Sequence, residues 1–181
     1  MTFLTQAELE AGLDIIRQSP ANLGTLEMIV RRPHTDAREL LSTAVLNVSL
    51  GLQGDNWSRS HQPHPLQQLT LMNARAIALI AGDKANWCLA GDQLYVDLDL
   101  SEVNLPPGTR LAIGSAMLAI TTEPHTGCRK FSARFGSAAL QFVNSPIGKQ
   151  LHLRGLYAHV IKAGEIQVGD PIEKITEVNA I

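Results

Sequence analysis

From Leu23 onward, apolar residues recur at every second position in short runs, and each run is cut off by glycine, proline or a polar turn. Leu26, Met28 and Val30 alternate with Glu27, Ile29 and Arg31, and Leu94, Val96 and Leu98 alternate with Tyr95, Asp97 and Asp99. Side chains of a strand point to opposite faces in turn, so this period reads as half-buried β-structure. Arg32-Pro33, Leu105-Pro-Pro-Gly108 and Gly169-Asp170-Pro171 are the breaks. Similar strands are predicted over 38–41, 69–73, 110–114, 116–122, 153–161 and 166–168, with Lys162-Ala-Gly-Glu165 as a hairpin. The run 44–50 fits helix or strand. About eight short strands with few helices imply a mainly β fold, a closed antiparallel barrel.

The helical signals are few. Thr5 and Glu8 have capping-box spacing, Leu4 and Leu9 suit a hydrophobic staple, and Ser19-Pro20 stops the segment 5–18. Residues 74–81 and 137–144 read as two further short helices. The chain is therefore expected to divide into an N-terminal helix, 1–20, packed on a barrel domain, 21–181.

With 181 residues the chain can bury one core, and 45% hydrophobic against 18% charged residues describes a globular protein. A net charge of −2 argues against a broad nucleic-acid surface. Two distant cysteines, Cys88 and Cys128, make no disulfide framework. No run is long enough to span a bilayer and no signal-peptide pattern opens the chain, so a cytoplasmic location is expected.

The chemistry concentrates in Glu123-Pro-His-Thr-Gly-Cys-Arg-Lys-Phe-Ser-Ala-Arg134. Pro124 and Gly127 place Cys128 on a loop at the end of a strand, His125 lies three residues before it, and Arg129, Lys130 and Arg134 follow. Nearby cations favour the thiolate, the form that acts as nucleophile and metal ligand. His125 could tune that thiol or act as acid or base, and the cations could hold phosphate. Each has a plainer alternative: a small buried cysteine, a loop histidine bonded to backbone, solvated surface charge. Cys88, in the apolar Asn86-Trp-Cys-Leu-Ala90, is expected to be buried and inert. Asp55, in Gly51-Leu-Gln-Gly-Asp55, suits a tight turn.

Arg32-Pro33 with Arg38, the Gly51–Asp55 turn, Leu105–Gly114, Cys128, Arg154–His159 and Gly164–Ile172 together resemble the MOSC domain, named after the C-terminal domain of molybdenum cofactor sulfurase. The resemblance runs from Gly24 to Ile172 and implies a strand-rich barrel in a small stand-alone protein. It implies that Cys128 carries sulfur received from a pyridoxal-phosphate cysteine desulfurase, or ligates molybdenum of a bound molybdopterin cofactor. The latter would make the protein an oxidoreductase with an electron-transfer partner. Arg129, Lys130, Arg134 and Asp55 would then bind cofactor, with Cys128 and His125 as the reactive pair. The Arg-x-Pro-Cys of many members is here Glu123-Pro-His-Thr-Gly-Cys128, with the proline displaced.

Two other readings stand beside it. His61, His64, His125 and Cys128 could form a four-ligand zinc site. Alternatively, the barrel could be a non-catalytic binding module.

Overall fold

A computed structural model describes residues 3–176; the ends of the expected units 1–20 and 21–181 lie outside these residues. Eleven strands are present: β1 (Leu23–Arg31), β2 (Glu39–Leu41), β3 (Thr43–Asn47), β4 (Gly51–Leu52), β5 (Leu69–Asn73), β6 (Leu94–Asp97), β7 (Arg110–Ile113), β8 (Ala116–Ile120), β9 (Leu156–Lys162), β10 (Gly164–Gln167) and β11 (Pro171–Ile175). The helices are α1 (Gln6–Ala11), α2 (Leu13–Arg17), α3 (Ala74–Ala81), α4 (Arg129–Asn144) and α5 (Pro146–Gln150).

The order β11-β7-β8-β9-β5-β6-β1 closes on itself because β1 also pairs with β11. Seven strands thus form a barrel, antiparallel throughout except for the parallel pair β5–β6. β2 extends the far end of β1, and β10-β3-β4 make a separate small sheet. The Lys162–Glu165 segment is not the hairpin expected from its glycine: β10 leaves β9 and pairs with β3 instead.

Two apolar clusters sit on the two sides of the barrel wall. Leu26, Ile29, Leu71, Leu94, Val96, Leu118 and Val160 fill the interior. Met28, Val30, Met72 and Tyr95 face outward beneath Leu9, Ile16, Ile77, Phe131, Phe135 and Phe142 of the helices. β1 feeds both clusters through a register shift between Leu26 and Met28. This bulge re-phases the alternation, so Ile29 turns inward although Glu27, two residues earlier, does not. Each such side chain removed from water contributes about 1.5–3 kcal/mol.

The N-terminal segment carries the expected capping box, Thr5 with Glu8, but breaks at Gly12 into α1 and α2. The larger departure is at α4. The stretch expected as loop through Gly136 becomes helical at Arg129, directly after Cys128. Phe131 and Phe135, one turn apart and both buried, drive this. Gly136, with φ 90°, bends the helix there. Beyond the bend, Asn144 returns to Gly127, accepting from its amide at 2.8 Å and donating to its carbonyl at 3.1 Å. Gly127 therefore serves close packing, since a Cβ there would lie 2.8 Å from Leu140.

Candidate functional site

The end of β1, the turn before β6, the start of β9, the 121–128 loop and the first turn of α4 meet around a cleft of about 350 Å³. Arg32, Arg38, Lys130 and Arg154 line it, with His125 and Tyr157, and Asp36 is its one acidic lining residue. A larger hollow of about 530 Å³ lies between Leu41, Val45 and Gly54. Its only lining cation, Arg31, is already paired with Glu39. The chemistry points to the smaller cleft.

Two of the cleft arginines are held from behind by wholly buried carboxylates. Asp55 accepts from Arg32 Nε at 3.0 Å, from Nη2 at 2.9 Å and from the Arg32 amide at 2.9 Å. Asp55 also caps the Trp57 amide at 3.0 Å. Its oxygens are thus committed to protein, and it reaches the cleft only through Arg32. Asp92 accepts from Arg154 Nη1 at 2.7 Å, while Arg154 Nη2 donates to the Ala90 carbonyl. The guanidinium of Arg154 also stacks on the Phe131 ring, 5.0 Å from its centre. The recurring Gly54-Asp55 and Gly91-Asp92 pairs are therefore more than turn chemistry: each buries an acid that aims an arginine. The third pair, Gly169-Asp170, is a turn, with Asp170 accepting from the Gln167 amide.

Arg38 differs. It donates to the carbonyls of Ala37 and Cys88 and has no carboxylate in salt-bridge range among the described residues. Burial, then the charges of Arg134 and Arg32, lower its pKa. A half-buried guanidinium crowded by its own kind is a ready site for an anion.

Cys128 is exposed and occupies the position just before α4, where no side-chain bond closes the helix start. Partial burial pushes its thiol up, but the Phe131 and Lys130 amides and the charges of Arg154 and Arg134 outweigh it, and the net shift is downward. The thiolate is favoured as expected from the sequence, through two backbone amides and Arg154 as well as Arg134. Lys130 contributes its amide, and its Nζ lies 3.9 Å from Asp36, which also takes Arg134 at 3.1 Å. Arg129 is exposed, and no ion pair to it occurs among the described residues.

His125 makes no hydrogen bond to the Cys128 sulfur among the described residues. Its side chain, 8% exposed, packs on Tyr157 with ring centres 4.5 Å apart and faces Asp92 at 3.7 Å, too far for a hydrogen bond. Burial, then Arg154, lower its pKa to about 3, so the ring stays neutral at neutral pH. Asp92 Oδ1, His125 Nδ1 and Arg154 Nε are buried without partners, a polar floor beneath the cleft. The zinc site is a correction: His61 and His64 are exposed on their own loop, and no three His, Cys, Asp or Glu suited to a metal ion cluster among the described residues. Cys88 is half-buried rather than buried, its thiol 3.5 Å from the Ala85 carbonyl.

The description "MOSC domain" matches residues 85–173, the span that carries Asp92, His125, Cys128 and Arg154. Residues 85–173 are therefore identified with the MOSC domain. Solved structures share the fold of this barrel. The YuaD protein of Bacillus subtilis is 16% identical with a TM-score of 0.61, covering 84% of this chain and 95% of its own. YiiM of Escherichia coli is 18% identical with a TM-score of 0.57, covering 87% and 72%. YiiM of Geobacillus stearothermophilus is 15% identical at 0.58, covering 85% and 75%. No curated protein matches this chain.

Sequence reasoning assigned no site role to Arg32, Arg38, Asp92, Arg154 and Tyr157. The two buried acids carried a signal, a glycine before each, that also marks ordinary turns. Nothing local in the sequence says which arginine a buried acid will hold.

Proposed function

We propose that this MOSC domain binds an anionic pterin cofactor in the arginine cleft and uses Cys128 as the thiolate that meets its metal. The observation that carries this reading is the exposed, thiolate-favouring Cys128 beside a cleft whose Arg38 has no carboxylate of its own. The residues suit the group. Guanidinium groups match phosphate oxygens, and a thiolate is a soft metal ligand. The unpartnered polar floor of Asp92, His125 and Arg154 offers hydrogen bonds to a heterocycle.

Arg38, Arg32 and Lys130 would hold the phosphate, and Cys128 the molybdenum. When bound, such a cofactor supplies two-electron redox chemistry. Asp55 and Asp92 keep Arg32 and Arg154 in place, so the cleft is organised before a ligand arrives. His125 supplies a neutral, uncharged wall.

The exposure of Cys128 also favours a second reading, sulfur carriage. Here the Cys128 thiolate attacks the outer sulfur of a partner desulfurase persulfide. A new S–S bond forms on Cys128, the old one breaks, and the desulfurase cysteine leaves as thiolate.

The test is expression in a cofactor-competent host, followed by metal and pterin analysis of the pure protein. Stoichiometric molybdenum and pterin, lost in Cys128→Ser and reduced in Arg38→Gln, is the expected result. Protein free of both, yet accepting radiolabelled sulfur from a cysteine desulfurase on Cys128, would favour sulfur carriage. Neither loading, in a folded protein, overturns both readings.

A further inference from the structure

The segment between β1 and β2 runs along the arginine cleft as a strap fastened at both ends. At its start the Arg32 amide is held by Asp55, and the Arg32 carbonyl accepts from the Asn56 amide at 2.8 Å. The Pro33 carbonyl accepts from Arg59 at 2.7 Å. At its end Arg38 donates to the Cys88 carbonyl at 3.2 Å. Between these points His34, Thr35 and Asp36 are exposed, and Thr35 and Asp36 line the cleft. The Ala37 amide turns back to the His34 carbonyl, and His34 Nδ1 approaches the Thr35 carbonyl. Both bonds stay inside the strap. Among the described residues, hydrogen bonds and ion pairs from 34–36 to a distant element run through one side chain, Asp36.

Asp36 Oδ1 accepts from Arg134 Nη2 at 3.1 Å and lies 3.9 Å from Lys130 Nζ, both on α4. Its backbone is left-handed, with φ 62°. Aspartate tolerates this region better than most residues, yet the conformation is uncommon. Such conformations persist where surrounding contacts hold them, and they gather at ligand clamps and switches. Here the holding contact is the ion pair to α4.

The same cations belong to the anion cleft. A Cβ on Gly91 would lie 3.3 Å from Arg38 Nη2 and 3.8 Å from Arg134 Nη1, which makes those two guanidinium groups neighbours. Asp36 is the carboxylate that offsets this group. It is unlike Asp55 and Asp92, which are wholly buried, because its side chain is 65% exposed. An exposed ion pair is weak and screened by solvent. A phosphate group carries about two charges and three acceptor oxygens, so it outbids one exposed carboxylate for the same donors.

We propose that Asp36 is an internal anion that clips the strap 34–37 to α4, and that a phosphate group entering the cleft displaces it and frees the strap. The inference rests on the cleft being an anion site and adds the gate that governs entry to it. Arg134 and Lys130 exchange one anionic partner for a stronger one. Asp36 is then left beside a like charge and swings away.

The test is amide hydrogen exchange of the full chain with and without pyrophosphate, alongside calorimetric titration with the same probe. A ligand that only packs against the strap slows its exchange. A clip gives the opposite result: pyrophosphate should speed exchange at 34–36, saturating as binding saturates. Asp36→Asn removes the charge and keeps a side chain that tolerates the left-handed backbone. It should speed the same amides without ligand and tighten pyrophosphate by about threefold, the worth of an exposed ion pair. Arg134→Gln should also speed them without ligand. In both variants pyrophosphate should add little further acceleration. Circular dichroism checks that both are folded.

Binding that leaves exchange at 34–36 unchanged or slower overturns the clip, even where Asp36→Asn binds more tightly, since loss of a negative charge alone does that. Unchanged exchange in either variant without ligand overturns it too. If neither the natural chain nor Asp36→Asn binds pyrophosphate, the cleft reading fails and the displacement fails with it.

Discussion

At the scale of single residues, the reactivity of Cys128 depends on groups that sequence proximity only partly reveals. Arg134 lies two turns along α4 yet lowers the thiol, whereas Arg129, adjacent in sequence, is not among the leading influences on it. Removing a nearby positive charge favours the neutral thiol and so raises its pKa. In a Cys88→Ser background, iodoacetamide alkylation of Cys128 should show a rate–pH midpoint below the free-thiol value of about 8.5. Arg134→Gln should move that midpoint upward and slow the reaction at neutral pH. Asp55 invites a different experiment. Removing one partner of a buried ion pair costs about 3–5 kcal/mol, because the other charge is stranded. Asp55→Ala should lose stability of that order in urea denaturation, with anion affinity falling alongside as Arg32 loses its hold. The carboxylate was legible in the sequence as a turn residue. Its arginine partner, 23 residues earlier, was not, because long-range pairing leaves no local periodicity.

At the scale of elements, the strands were readable and α4 was only half so. Strands β1, β6, β7 and β8 follow from alternation and turn residues alone. Two cases escaped that logic. At β1 a bulge moved Ile29 to the other face, and bulges follow from packing on both sides rather than from one segment's pattern. At α4, the cations and glycines around Cys128 carry a loop signal, while the Phe131–Phe135 spacing makes the segment helical. The bend at Gly136 is testable. Its φ of 90° is a conformation that side chains other than glycine adopt with strain, and a Cβ there would lie 3.0 Å from the Phe3 ring. Gly136→Ala should cost about 1–3 kcal/mol, read as a lowered urea midpoint. If the bend relaxes, Asn144 loses its grip on Gly127 and the Cys128 loop should gain amide-exchange rate.

For the molecule as a whole, acid should be more damaging than the net charge suggests. His125 titrates near 6.5 when unfolded and at about 3 when folded. Below about 6.5 the unfolded chain binds the extra proton and the folded chain does not. Stability is therefore fully present above that value and falls as pH drops from about 6.5 to 3, at roughly 1.4 kcal/mol per unit for this one group. A pH series of urea melts should show this slope, flattened in His125→Gln. The closure of the barrel has a consequence for biosynthesis. β1 leaves the ribosome early, but one flank of it waits for β11, whose residues 171–175 pair with both β1 and β7. Until those residues emerge, the nascent chain carries two open strand edges, and such edges recruit other chains. A translation pause upstream of Pro171 therefore prolongs the interval in which two growing copies can pair with each other instead of with themselves.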